Sequence, residues 1–163
     1  MDSDRPIRWV DGNGGEGVGR LVDWEELSAL YRVAPLGDKP PEQLEIVFTN
    51  SMFSTFAYVD DRLVGVGRAM ADGADCAYLA DVAVHPDLQG EGVGAAIIER
   101  LVLVADGHKK IILYAKPGTE VFYQRLGFLP MNTAMAIWHD PDLGVESGVL
   151  RPPEGDGDPD LAP

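Results

Sequence analysis

The chain has 163 residues, 45% of them hydrophobic, which suits one domain with a real core rather than two full domains or a disordered polymer. Thirteen basic residues against 27 acidic ones give a net charge of −14, which argues against nucleic acid and against an anionic membrane surface as partners. A lone cysteine, Cys76, excludes an intrachain disulfide framework and a cysteine-based zinc site, and no metal is expected.

Residues 1–8 are polar, so no signal peptide is expected, and no apolar run reaches the roughly 18 residues that span a bilayer. The expected compartment is the cytoplasm. A weak strand at 7–10 leads into the glycine-rich stretch 11–19, DGNGGEGVG. It reads as a flexible turn, because the Gly-Lys-Ser/Thr ending of a P-loop is missing and no long strand precedes it. Asp23 caps a first helix, with Glu26 three residues on and Trp24, Leu27, Leu30 and Tyr31 at helical spacing. Pro40-Pro41 opens a second short helix, with Leu44, Val47 and Phe48 on its apolar face.

The period then changes to two. Strands at 55–59 and 63–70 flank the turn Asp60-Asp61-Arg62, and a third strand at 78–84 follows a polar turn at 71–75. Residues 92–106 return to helical spacing, with Val93, Ile97, Leu101 and Val104 on one face and Gly107 as a C-cap. The apolar run at 110–115 reads as a central strand covered on both faces. A short helix at 119–126, capped by Thr119 and closed by Gly127, precedes a last strand that opens at Phe128 and resumes at 134–138. The helix between strands 78–84 and 110–115 is a βαβ crossover, so those two strands are expected to be parallel. The expected class is α/β with a mixed sheet, one domain over 1–139. Residues 140–163 carry a net charge of −6 with many prolines and glycines, and are expected to form a mobile tail.

The most specific segment runs Val82-Ala83-Val84-His85-Pro86-Asp87-Leu88-Gln89-Gly90-Glu91-Gly92-Val93-Gly94. A strand enters a glycine loop that opens directly into the long helix. Glycines let successive N–H groups turn toward a ligand, and the helix start adds unpaired N–H groups and a partial positive charge. Such a loop suits a phosphate or pyrophosphate.

Gln89-x-x-Gly92-x-Gly94, the preceding Asp81-Val82-Ala83-Val84-His85-Pro86, and the later Phe122-Tyr123-Gln124-Arg125-Leu126-Gly127-Phe128 together resemble the GNAT N-acetyltransferase superfamily over about residues 22–138. The span FTNSMF with GVGRAMADG and FYQRLGF is more loosely similar to small amine acetyltransferases of the arylalkylamine and serotonin type. The resemblance implies a mostly antiparallel sheet of six to seven strands with a central βαβ crossover and helices on both faces. It implies acetyl-CoA as co-substrate, its pyrophosphate held by backbone N–H groups of Gln89, Gly90, Glu91, Gly92, Val93, Gly94 and Ala95. The pantetheine arm would pair with the backbone of Val82, Ala83 and Val84, in a wedge between that strand and the one at 110–115. Tyr123 matches the tyrosine that protonates the departing thiolate and faces the cofactor. A 3′-phosphate contact is sought among Lys109, Lys110, Lys116 and Arg125.

The implied reaction is direct attack of a primary amine on the thioester, with no acyl-enzyme through Cys76. The amine must lose a proton. Asp81, the single charged side chain of an apolar strand, is the candidate base. A structural carboxylate and an amine-holding charge are its alternatives, and Glu45 and Asp75 are weaker candidates. His85, at the strand end before Pro86, is expected to cap or pack its turn. For the acceptor, Trp24, Tyr31, Phe48, Phe53 and Phe56 with Glu42, Glu45, Asp72 and Asp75 suit a cationic amine with an apolar body. A small (aryl)alkylamine is the first choice, with a protein N-terminus or lysine, or an aminoglycoside or polyamine, as alternatives. A non-catalytic CoA-binding module is the competing class. The family resemblance also allows a homodimer.

Overall fold

The computed structural model describes residues 6–152, and the chain divides into two compact units, one ending at Leu113 and the other beginning at Tyr114. In the first unit a sheet of order β1-β2-β3-β4-β5 is formed by Arg8–Gly12, Phe53–Val59, Arg62–Ala71, Cys76–Val84 and Lys110–Ile112. The first four strands are antiparallel neighbours, and β5 lies parallel to β4, as the crossover predicts. Five strands form among the described residues, where six to seven were expected. The shortfall lies at the end of the chain: β5 stops at Ile112, and 134–138 carry no strand. A strand needs partner hydrogen bonds as well as β-forming residues, so apolar alternation alone does not make one.

Helices α1 (Trp24–Val33) and α2 (Pro41–Thr49) cover one face of the sheet. Their buried stripe, Leu27, Leu30, Tyr31, Leu44 and Phe48, packs with Phe56, Val66 and Ala83 in one core. Asp23 caps α1 by accepting from Glu25 N–H (2.8 Å) and Glu26 N–H (3.2 Å). Glu26 does not close the expected reciprocal box. Its carboxylate accepts from Leu63 N–H (2.8 Å) and pins the helix start to β3. The β2–β3 turn is a tight two-residue one, with Asp60 (φ 49°) and Asp61 (φ 62°) both left-handed, as hairpin twist demands.

Helix α3 (Val93–Val104) packs against the sheet at Gly65 and Gly67 of β3. A Cβ at Gly67 would stand 2.6 Å from Ile97 Cγ2 and 2.9 Å from Leu101 Cδ1, so only glycine admits the helix so close. Gly67→Ala is therefore expected to lower stability by about 1–3 kcal/mol through overpacking. Denaturant unfolding measures it, and an unchanged midpoint would show that the helix can shift without cost.

The second unit holds α4 (Glu120–Arg125) and α5 (Pro141–Glu146). Gly127 (φ 92°) ends α4 as expected. Thr119 precedes α4, but its hydroxyl donates to Lys116 O (2.6 Å) and makes no cap bond. Part of the expected tail is ordered. Asp140 accepts from Leu143 N–H (3.1 Å) to start α5, and Trp138 and Leu150 close over Gly144. Residues 153–163 of that tail lie outside the described residues.

Candidate functional site

Where β4 runs beside β3, Val66 pairs with Ala83 and Arg68 with Ala80, so Gly67 alone faces both Asp81 and Val82. This is a β-bulge, and Asp81 sits in it at φ 53°. On its other edge β4 pairs with β5 only over Cys76–Tyr78. From Leu79 onward that edge has no strand beside it among the described residues, and the backbone of Val82, Ala83 and Val84 lies in this stretch. The unpaired length is what the sequence could not show.

Val84 leads through His85 into a short 3-10 turn at Pro86–Leu88, then the glycine loop, then α3. His85 caps that turn, Nδ1 accepting from Asp87 N–H (3.2 Å). Gly90 (φ 83°) and Gly92 (φ 85°) hold left-handed conformations with open space around them, and Gly92 is the N-cap of α3. Of the seven N–H groups proposed for the anion, two are already used inside the loop. Gln89 N–H donates to Pro86 O (3.3 Å) and Glu91 N–H to Leu88 O (3.4 Å). Those of Gly90, Gly92, Val93, Gly94 and Ala95 have no acceptor among the described residues, as a helix start requires. Gln89 acts through its side chain instead: Nε2 donates to Val84 O (3.0 Å) and ties the loop to the strand end.

Asp81 is not a lone carboxylate. Oδ1 accepts from Lys39 Nζ and Oδ2 from Arg68 Nε, each at 2.7 Å. Lys39 comes from the α1–α2 connection and Arg68 from β3, and neither was singled out in the sequence. Burial alone would raise the Asp81 pKa, but the Lys39 hydrogen bond and the Arg68 charge outweigh it, and the carboxyl titrates below its ordinary range. A carboxylate so held is a poor proton acceptor at neutral pH. Beside it the fully buried Tyr31 hydroxyl has no hydrogen-bond partner among the described residues, and burial, followed by the Asp81 charge, pushes its pKa well up.

The carboxylates expected around an acceptor do not gather there, and of the aromatics Tyr31 and Phe48 adjoin the Asp81 cluster as part of the core. Tyr31, Phe48 and Phe56 are fully buried core. Asp72 accepts from the N–H groups of Ala74, Asp75 and Cys76, which hold its pKa down to about 2. Asp75 is paired with Lys110. Glu42 and Glu45 line an open cleft of about 870 Å³ with Trp24, Glu25 and Tyr58, none of whose lining residues belongs to β4 or to the glycine loop. Lys109 and Lys110 are poor candidates for a phosphate contact. Parallel β5 starts beside Cys76, at the end of β4 away from the loop. Lys116 and Arg125 belong to the second unit, as does Tyr123.

Tyr123 lies on α4, its ring edge-on to Phe122 (5.0 Å) and to Phe128 (6.1 Å). Partial burial raises its phenol pKa, so it stays protonated and able to donate at neutral pH.

Comparisons with known proteins agree with this geometry. A family model described as an acetyltransferase (GNAT) domain matches residues 51–130. An uncharacterised ycf52 N-acetyltransferase of Pyropia yezoensis is 35% identical over 124 residues, covering 68% of this chain and 71% of that one. The chain belongs to the GNAT acetyltransferase family. As a member it is an acyltransferase with acetyl-CoA as its co-substrate. Serotonin N-acetyltransferase 2 (chloroplastic) of Oryza sativa is 42% identical over 89 residues, 53% of this chain and 43% of that one. A probable acetyltransferase of Staphylococcus aureus shares the fold at a TM-score of 0.69 and 24% identity, over 82% of this GNAT chain and all of its own. Among the described residues no helix is long and apolar enough to cross a membrane, and no cluster of metal-ligating side chains forms.

Because Asp81 and Asp72 titrate lower folded than unfolded, each contributes stability above about pH 4 that is lost as pH falls through its folded value. Thermal midpoints of this acetyltransferase are expected to be level in this respect from pH 8 to 5 and to drop below about pH 4. Asp72→Asn should flatten the fall between about pH 4 and 2, where Asp72 itself titrates. An unaltered slope would remove Asp72 from the account.

Proposed function

We propose that this protein transfers the acetyl group of acetyl-CoA to a primary amine by direct attack, with a small (aryl)alkylamine as acceptor. The observation that carries the reading is the glycine loop with five open backbone N–H groups at the start of α3, continuous with an unpaired edge of β4. Such a loop fits a pyrophosphate without any basic side chain. Acetyl-CoA, when bound, supplies the activated thioester. Gly90, Gly92, Val93, Gly94 and Ala95 are the donors proposed for its pyrophosphate, and the backbone of Val82, Ala83 and Val84 for its pantetheine arm. An N–H of Val82 or Val84 is proposed to steady the oxyanion.

Tyr123 is the proposed donor to the departing thiolate, supported by its place in the Phe122–Phe128 motif and by its phenol being protonated at neutral pH. Asp81, flanked by two cations, is assigned to holding structure, and the amine's proton is assigned to water. The amine acceptor is supported by the identity with the rice serotonin N-acetyltransferase and by the net charge of −14. The cytoplasm is the proposed compartment, on the ground of a single free cysteine, and cell fractionation tests it.

Thiol release from acetyl-CoA across a panel of arylalkylamines, polyamines, aminoglycosides and peptide amines tests the function. Turnover is expected with at least one primary amine, best with an arylalkylamine. Tight CoA binding with no turnover across the panel would instead identify a non-catalytic binding module. Tyr123→Phe is expected to lower kcat by roughly 10²-fold, in the range a positioned proton donor contributes, with little change in acetyl-CoA affinity. Equal losses in both would place Tyr123 in binding alone.

A further inference from the structure

We propose that Lys39 and Arg68 are positioning residues for the transfer: acting through the two oxygens of Asp81, they fix the β4 bulge and with it the backbone of Val82–Val84. The inference rests on the acetyl-transfer reading for its catalytic consequence, but its structural part stands on geometry alone.

Asp81 is a non-glycine residue at φ 53° inside a strand, an uncommon conformation there, though one that Asp tolerates better than most residues. No restraint on it comes from β5, whose pairing with β4 ends at Tyr78. β3 holds the residues on either side, Ala80 opposite Arg68 and Ala83 opposite Val66, and leaves the two bulged ones facing Gly67 alone. The Asp81 side chain adds a further restraint. Each of its oxygens takes one cation at 2.7 Å, and the three side chains are largely shielded, with 11% of Arg68, 15% of Asp81 and 27% of Lys39 exposed.

The cations are themselves held. Arg68 Nη1 donates to Ser51 Oγ (3.1 Å), which donates on to Val47 O (2.7 Å) at the end of α2. Lys39 O accepts from Ser28 Oγ of α1 (2.7 Å), and Lys39 Nζ lies 5.1 Å from the centre of the buried Tyr31 ring. Asp81 is thus a peg set from α1, α2 and β3 at once. The peg sits one residue before the backbone proposed to meet the reacting carbonyl. With both oxygens committed to cations, the same geometry takes Asp81 out of proton transfer.

Amide hydrogen–deuterium exchange read by mass spectrometry on the full chain tests the clamp without any substrate. Lys39→Met is chosen because Lys39 is the most exposed of the three. It is expected to speed exchange at Val82–Val84 about tenfold, to leave β2 unchanged, and to be reversed by Lys39→Arg. Unchanged exchange at Val82–Val84 overturns the proposal whether or not any amine is turned over. Absence of turnover overturns the acetyl-transfer reading and leaves exchange to decide the clamp.

With an accepted amine, Lys39→Met should cost about tenfold in kcat at unchanged acetyl-CoA affinity, since a small misplacement of oriented groups acts on the transition state. Asp81→Gly should keep more activity than Asp81→Ala, because glycine adopts φ 53° without strain. If instead both Asp81 variants are equally inactive, and Lys39→Met shifts the acidic limb of the pH–rate profile upward with full rate restored at high pH, Asp81 is the base and the proposal falls.

Discussion

The proposed site depends on a mismatch of one residue between two strands. Gly67 on β3 faces Asp81 and Val82 on β4, and the extra residue takes a left-handed conformation. A bulge ends regular pairing and re-aims the strand beyond it. From there β4 keeps β3 on one edge and has no strand on the other among the described residues, an edge that suits the extended ligand proposed for it. Gly67 serves twice. Its missing side chain admits Ile97 and Leu101 of α3, the helix whose first turn is proposed to receive the anion, and it stands opposite the bulge. The close approach of the helix and the strand irregularity therefore meet at the same residue.

The net charge of −14 looks hostile to a phosphorylated co-substrate. The geometry removes the conflict, because the donors of the glycine loop are backbone N–H groups at a helix start. Their partial charge does not depend on the side-chain balance. Several of the acidic side chains are engaged in holding the fold. Asp23 and Asp140 cap helices, Asp72 builds a turn, Glu26 holds β3, Asp11 pairs with Arg100 and Asp75 with Lys110. Asp81, the carboxylate nearest the proposed chemistry, is outnumbered by its two cations. An excess of acid over the whole chain thus coexists with a locally positive patch beside the bulge.

Much of the architecture was legible in local pattern. The hairpin at Asp60-Asp61, the parallel β4–α3–β5 unit and the glycine loop each rest on residues close in sequence whose conformational limits are strong. The failures have a common cause. The aromatics Tyr31, Phe48 and Phe56 carry the same composition signal whether they line a pocket or fill a core, and burial decided for the core. The last strand was read from alternation at 134–138, but a ladder needs a partner that sequence cannot supply. Glu26 matched a capping-box spacing, yet an N–H on β3, 37 residues later, won its carboxylate. Gln89 was assigned through its backbone, while its side chain does the tethering.

By itself the sequence determined the class of fold, the place of the glycine loop and the family, because glycines, helix starts and strand periods act over a few residues. Only the tertiary structure decided what surrounds Asp81. A carboxylate in an apolar strand can be a base, a substrate anchor or half of an ion pair, and the difference lies in what approaches it. Lys39 arrives from 42 residues before and Arg68 from 13, across the sheet and from a helix connection. Their charges set its protonation and hold its backbone, and that depends on distances through space that no spacing along the chain encodes.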